Sequence, residues 1–176
     1  MQRWILGARL RTLPAAVVPV MVGTAAAAGN GIIWWRAAAA LLVALSLQTG
    51  TNFANDYADG VRGTDGPDRV GPARLVGAGL ARPEEVKRAA LLSFGVAALV
   101  GAVLSLIVAP WLLLVGATAL AAGWFYTGGK NPYGYRGLGE VFVFVFFGLV
   151  ATMGSTYVQG RQVTWLSFSS AVAVGM

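Results

Sequence analysis

Hydrophobic and polar positions in this chain segregate on the scale of whole helices. Apolar runs occupy positions 13–28, 37–53, 89–108, 111–126 and 138–158, and a sixth begins near Trp165. A helix needs about 20 mostly apolar residues to cross a bilayer. The pattern therefore predicts an all-α fold, a polytopic transmembrane helical bundle with about five and a half spans. Each break has a local cause: Gly29-Asn30-Gly31 after the first run, Pro110 between the third and fourth, and Thr127-Gly128-Gly129 after the fourth. Trp34, Trp35, Trp111, Trp124 and Trp165 fall at run ends, where interfacial anchors are expected. Gly95, Gly101, Ala102, Gly116, Ala117 and Gly123 lie inside the runs, and such small residues predict close helix packing.

Composition removes the soluble alternative. The chain is 57% hydrophobic and 11% charged, with a mean hydropathy of +0.68, which does not describe a water-facing surface. The net charge of +6 could suggest nucleic acid, but the cations sit in short segments beside apolar runs, so no nucleic-acid partner is expected. Arg3, Arg9 and Arg11 precede run one; Arg62, Arg69, Arg74, Arg82, Lys87 and Arg88 separate runs two and three; Lys130 and Arg136 separate runs four and five. Only Arg36 and Arg161 fall on the other side, eleven cations against two. The positive-inside bias then predicts a multi-pass protein of the cell membrane with its N-terminus and both polar loops in the cytoplasm. The N-terminus superficially resembles a signal peptide, but Pro14 and Pro19 interrupt the run and no convincing cleavage site follows, so a retained span is expected.

With no cysteine and no histidine, thiolate nucleophiles, imidazole bases and the usual zinc and haem ligands are excluded. The remaining chemistry concentrates at Asn52-Phe53-Ala54-Asn55-Asp56-Tyr57-Ala58-Asp59, directly after an apolar run. As a helix, this stretch stacks Asn52 with Asp56 and Asn55 with Asp59, each pair four residues apart, and makes one acidic face. Carboxylates this close repel unless a proton or cation lies between them, and hard oxygen donors suit Mg²⁺. Asn52, Asp56 and Asp59 are the candidate metal ligands. The plainer alternative is a set of solvated loop acids and caps; the repeated spacing at the end of a membrane helix favours function.

Two polar loops share the predicted cytoplasmic side. The loop at 60–88 carries Arg62, Asp65 and Asp68-Arg69-Val70-Gly71-Pro72-Ala73-Arg74, with arginines suited to grip an anion. Its last part, Arg82-Pro83-Glu84-Glu85, reads as a helix start. The loop at 126–140 gathers Tyr126, Lys130, Tyr133, Tyr135 and Arg136, and ends at Glu140, an ionisable group at a membrane edge. An aromatic belt with positive-inside charges would explain that loop alone. Together the loops offer an acidic metal cluster, mobile cations and greasy spans, an arrangement that fits a diphosphate on a lipid tail, whose departure as pyrophosphate would leave an allylic cation for an electron-rich acceptor.

Asn55-Asp56-Tyr57-Ala58-Asp59 resembles the first aspartate-rich motif of the UbiA-type superfamily of membrane aromatic prenyltransferases. The longer pattern from Asn55 to Asp65, with Arg69-Val70-Gly71-Pro72-Ala73-Arg74, is similar to the branch that prenylates 1,4-dihydroxy-2-naphthoate in menaquinone synthesis. So are Arg11-Thr12-Leu13-Pro14 with Val18-Pro19-Val20, and Tyr126-Thr127-Gly128-Gly129 with Gly137-Leu138-Gly139-Glu140. The resemblance implies transfer from a polyprenyl diphosphate to 1,4-dihydroxy-2-naphthoate with loss of CO₂, giving demethylmenaquinone and pyrophosphate, with Mg²⁺ as cofactor. It implies Asp56, Asp59 and Lys130 as catalytic residues, Lys130 through its spacing four after Tyr126. Asn52, Asn55, Arg62, Asp65, Arg69, Arg74, Tyr126, Tyr135 and Glu140 are implied as substrate-binding.

Many relatives outside that branch have a further Asp where this chain has Gly63, a role open to Asp65. The family also has about nine helices and a second aspartate-rich motif in its latter half, and no such motif occurs between Glu140 and Met176. The expectation is that residues 1–176 form a single membrane domain, the N-terminal portion of a longer enzyme, inactive alone, with functional residues in the 60–88 loop. Another aromatic acceptor, or a non-enzymatic transporter, are the alternatives; a transporter would place ionisable groups at mid-span, and these spans hold none.

Overall fold

The structure, a computed structural model, describes residues 2–65 and 73–176. Among these residues the secondary structure is entirely helical: α1 (Gln2–Ala8), α2 (Pro14–Ala26), α3 (Trp34–Arg62), α4 (Pro83–Val108), α5 (Leu112–Phe125), α6 (Gly139–Val143), α7 (Thr152–Gly160) and α8 (Trp165–Gly175). A π-helical stretch, Phe144–Ala151, joins α6 to α7 into one long helical run.

Helices α3, α4 and the Gly139–Gly160 run are long and apolar enough to cross a membrane; α1 with α2 makes a fourth candidate, bent by 51°. The fourth apolar run of the sequence folds as α5, only 14 residues long, because Pro110 and the Gly128-Gly129 pair close it at both ends. The bend lies between Gln2–Thr12 and Pro14–Ala26; within the first segment Arg9, with a left-handed φ of 53°, ends α1 and leads into a 3₁₀ turn over Leu10–Thr12. Pro14 then opens α2, where its missing N–H has no partner to lose.

α3 runs past the apolar segment that predicted it. At 1.5 Å per residue its 29 residues span roughly 43 Å, beyond the roughly 30 Å hydrocarbon core. The acidic motif rides on those extra turns as helix, and Gly63 ends them in the left-handed conformation with φ 73°. α4 packs along α3, with the ring of Phe94 lying against Gly50; a Cβ at Gly50 would stand 2.8 Å from that ring. Phe94 also meets Trp124 edge-on, their centroids 6.4 Å apart. Trp124 is partly buried against the core, whereas Trp34, Trp35, Trp111 and Trp165 are exposed. Of the intrahelical glycines, Gly123 also abuts Phe94, but Gly95 and Gly116 face open space.

Polarity is arranged as a bilayer demands. Leu92, Leu99 and Leu106, spaced seven apart on α4, are 72%, 68% and 64% exposed. Gln48, Asn52, Asn55, Asp56, Asp59, Thr152, Ser155 and Thr156 are buried. α2 packs on α7, where the Thr156 hydroxyl donates to the Gly23 carbonyl at 2.7 Å. The two cations of the opposite side cap carbonyls: Arg36 donates to Val158 O and Gln159 O at 2.9 and 3.1 Å, and Arg161 to Ile107 O at 3.0 Å. Guanidinium groups at helix C-termini satisfy carbonyls that lack intrahelical partners.

Candidate functional site

Three segments meet at the C-terminal turns of α3: the motif itself, the turn at 73–81, and the loop at 126–137. Helical spacing brings Asp56 and Asp59 to one face, and both are buried, Asp56 at 1% exposure. Asp56 is tied to the 73–81 turn through both carboxylate oxygens. Oδ2 accepts from the Leu75 N–H at 2.8 Å and Oδ1 from the Val76 N–H at 3.0 Å. A charge in an apolar bundle is held by donors in this way. Each oxygen still keeps a lone pair.

Asp59 is held by side chains. Arg74 Nη2 approaches its Oδ2 at 3.5 Å, and the Tyr135 hydroxyl donates to its Oδ1. Arg74, 9% exposed, also pairs through Nε with Asp65 Oδ2 at 3.6 Å. Its Nη1 has no hydrogen-bond partner among the described residues. Arg62 clamps the second loop, its guanidinium donating to Thr127 O and Gly129 O and lying 5.5 Å from the centre of the Tyr135 ring. The buried Thr127 hydroxyl completes the clamp, donating to Asn55 Oδ1 at 2.8 Å. Burial, and then the bond to Asp59, raise the Tyr135 hydroxyl above its ordinary pKa, so the ring stays neutral beside the carboxylate. Tyr133 is pushed up to about 12 by burial and by Tyr126; it stacks on Phe142 at 3.8 Å and donates to Ala122 O at 2.8 Å.

Of the residues expected from sequence, the structure unites Asn55, Asp56, Asp59, Arg62, Asp65, Arg74 and Tyr135. Tyr126 packs edge-on against Tyr133, their centroids 5.4 Å apart. Lys130 and Glu140 are exposed, and no hydrogen bond or ion pair among the described residues joins either to the carboxylates. Asn52 lies one turn deeper, its amide aimed at Ala8 and Thr12. Arg69 lies outside the described residues. Thr12, Gln48, Thr127 and the amides of Leu75 and Val76 were not singled out. Thr12 and Thr127 had a visible signal, their places in the Arg11-Thr12-Leu13-Pro14 and Tyr126-Thr127-Gly128-Gly129 stretches. A cavity of about 140 Å³ lined by Ala54, Tyr57, Val61 and Trp124 lies behind the motif. Ala54 and Ala58, two residues either side of Asp56, are on the other side of α3 from it.

No group of three acidic side chains among the described residues could hold a metal by itself. Two carboxylates one turn apart with lone pairs remaining do fit a Mg²⁺ ion that keeps water and ligand oxygens for the rest of its shell. The buried Nη1 of Arg74, without a hydrogen-bond partner among the described residues, adds a donor for an anion beside them. The arrangement suits a metal-bound polyanion better than a bare cation.

The chain is a member of the UbiA prenyltransferase family, whose model matches residues 16–176. It is a multi-pass membrane protein by its apolar helices and its family. Among curated relatives it is 55% identical to the 1,4-dihydroxy-2-naphthoate octaprenyltransferase of Mycobacterium tuberculosis, over 98% of this chain and 59% of that protein. It is 53% identical to the enzyme of the same name from Mycobacterium leprae, with the same coverage. The Escherichia coli enzyme of that name is 37% identical, over 99% of this chain and 59% of the relative. The chain thus spans about 59% of the length of these relatives. No solved structure matches it.

Proposed function

We propose that residues 1–176 are a single membrane domain, the N-terminal part of a Mg²⁺-dependent prenyltransferase that transfers a polyprenyl chain from its diphosphate to 1,4-dihydroxy-2-naphthoate. The products are demethylmenaquinol, the hydroquinone form of demethylmenaquinone, with pyrophosphate and CO₂. The activity is that of the whole protein, and the site described is one side of its diphosphate pocket, facing the cytoplasm as the distribution of cations supports. The observation that carries this reading is Asp59 between Arg74 and Tyr135, with Asp56 one turn away and a buried guanidinium nitrogen that has no hydrogen-bond partner among the described residues. The printed names of the relatives support the choice of acceptor.

Asp56 and Asp59 would hold Mg²⁺, which when bound supplies charge neutralisation to the diphosphate. Arg74 donates to a phosphate oxygen through Nη1 while its other nitrogens remain on Asp59 and Asp65. Tyr135, kept protonated, orients Asp59 and adds no negative charge. Arg62 and Thr127 hold the second loop over α3, which brings Tyr126, Lys130 and Glu140 to the substrate-binding side. Arg69 joins them on its sequence pattern alone. The prenyl C1–O bond breaks, its electron pair leaving on pyrophosphate. The ring carbon bearing the carboxylate attacks C1, and the bond to CO₂ then breaks, returning its pair to the ring.

Asp59→Asn in the full-length protein tests the reading, because Asp59 bonds side chains and not the backbone turn. With polyprenyl diphosphate and 1,4-dihydroxy-2-naphthoate in liposomes, prenyl transfer should fall at least about 100-fold, about 2.7 kcal/mol in barrier. Activity within about threefold of the parent would refute it.

A further inference from the structure

We infer that Asn52 is a positioning residue that fastens the N-terminal segment against the motif, and that Thr12 and Gln48 are its partners in that role. The orientation of the amide follows from chemistry. Ala8 O can only accept, and it lies 2.9 Å from Asn52 Nδ2, so the nitrogen and not the oxygen faces it. The second hydrogen of that nitrogen goes to Thr12 Oγ1, also at 2.9 Å. Thr12 donates its own proton to Arg9 O at 2.9 Å, so its oxygen accepts from both Asn52 and Gln48 Nε2, the latter at 3.1 Å. A hydroxyl has one donor and two acceptor sites, and this one uses all three. Gln48 also reaches Asn52 Oδ1 at 3.5 Å.

These bonds meet where the backbone most needs them. Arg9 is left-handed, α1 stops at Ala8, and the terminal carbonyl of α1 would otherwise lie unpaired. Asn52, 3% exposed, supplies the donor that the broken helix lacks. The segment held in this way bears on the site. Trp4 meets Phe53 edge-on with centroids 5.9 Å apart, Arg3 donates to Leu80 O at 3.0 Å, and α1 packs so closely that a Cβ on Gly7 would stand 2.6 Å from Leu75. Leu75, fully buried, is the residue whose N–H holds Asp56. A continuous path of contacts therefore runs from Thr12 and Asn52 through α1 and Leu75 to the Asp56 carboxylate. Its consequence for catalysis rests on the proposed role of Asp56; the fastening itself does not.

The ligand role and the positioning role predict opposite behaviour for Asn52→Asp, since a carboxylate keeps every oxygen ligand but loses both N–H donors. In the full-length protein, amide hydrogen exchange at residues 9–13 and at Leu75 and Val76 should accelerate about tenfold or more in Asn52→Asp and in Thr12→Val. Thr12→Ser, which keeps the hydroxyl, should stay within about threefold of the parent, and the Asn52→Asp, Thr12→Val double variant should be no worse than either alone. In prenyl-transfer assays Thr12→Val, which touches neither Asp56 nor Asp59, should lower kcat together with Asn52→Asp while Thr12→Ser restores it. Unchanged exchange in Asn52→Asp with a lowered half-saturating Mg²⁺ concentration would make Asn52 a ligand and overturn the inference. If Asn52→Asp does not fold, the Thr12 pair decides alone: Thr12→Val within about threefold of the parent overturns the inference. Should no prenyl transfer be found in any form, the proposed reaction fails, but the exchange measurements still decide the fastening.

Discussion

Asp56→Asn separates what the carboxylate does for the fold from what it does for chemistry. Its two oxygens accept from Leu75 N–H at 2.8 Å and Val76 N–H at 3.0 Å, in a site where Asp56 is 1% exposed and water cannot substitute. Hydrogen bonds to a charged partner contribute about 1.5–3 kcal/mol each, and neutral ones about 1 kcal/mol. Asparagine presents one acceptor and one donor. One amide therefore keeps a weakened bond, and the other faces an N–H₂ group with nothing to accept its hydrogen. The sum of one bond lost and one weakened is about 2–5 kcal/mol, or at least about 30-fold in the equilibrium for opening the 73–81 turn. Hydrogen exchange at Leu75 and Val76 in the full-length protein, followed by mass spectrometry on peptides covering 73–81, reads that number directly. Asp59→Asn is the internal control, because its partners Arg74 and Tyr135 are side chains. Exchange in Asp56→Asn within about threefold of the parent would refute the reasoning. A consequence follows for mutagenesis: loss of activity in Asp56→Asn combines a loosened turn with a lost ligand, whereas Asp59→Asn reports the ligand more cleanly.

Packing and titration give further tests. Gly50→Ala places a Cβ 2.8 Å from the Phe94 ring and should destabilise by about 1–3 kcal/mol, while Gly95→Ala meets nothing within 4 Å and should be neutral or stabilising; thermal melts in detergent compare the two. Tyr133 has its pKa raised from 10.0 to about 12, so the folded loop holds the proton more tightly than the unfolded chain. That contribution is present below pH 10 and is lost as pH climbs toward about 12, so the melting temperature should fall through this window. Tyr133→Phe should flatten the alkaline fall, and tyrosinate absorbance between those pH values should lose its latest-titrating component.

Much of the helical architecture was legible because membrane helices are written locally. Runs of apolar residues fix where α3, α4 and the Gly139–Gly160 run lie, since a backbone in hydrocarbon must satisfy its own hydrogen bonds. Gly63, Pro83 and Pro110 fix helix ends through φ preference and a missing N–H, which are properties of single residues. The acidic face needed only helical spacing, and the family followed from the order of residues around it. Trp124 shows what that reading leaves out: its position at a run end does not record that it packs edge-on against Phe94, thirty residues away.

The sequence by itself thus determined the helices, their polarity, the acidic face on α3 and membership of the UbiA prenyltransferase family. Only the tertiary structure decided how each polar group in that face is used. It assigned Asp56 to the amides of Leu75 and Val76, Asp59 to Arg74 and Tyr135, Asn55 to Thr127, and Asn52 to Ala8 and Thr12. These partners lie 15 to 76 residues away along the chain, and no periodicity records such separations. In an apolar bundle each buried donor and acceptor must find a mate, so chain folding, and not local pattern, selects which oxygens are tied to the scaffold and which remain for a ligand.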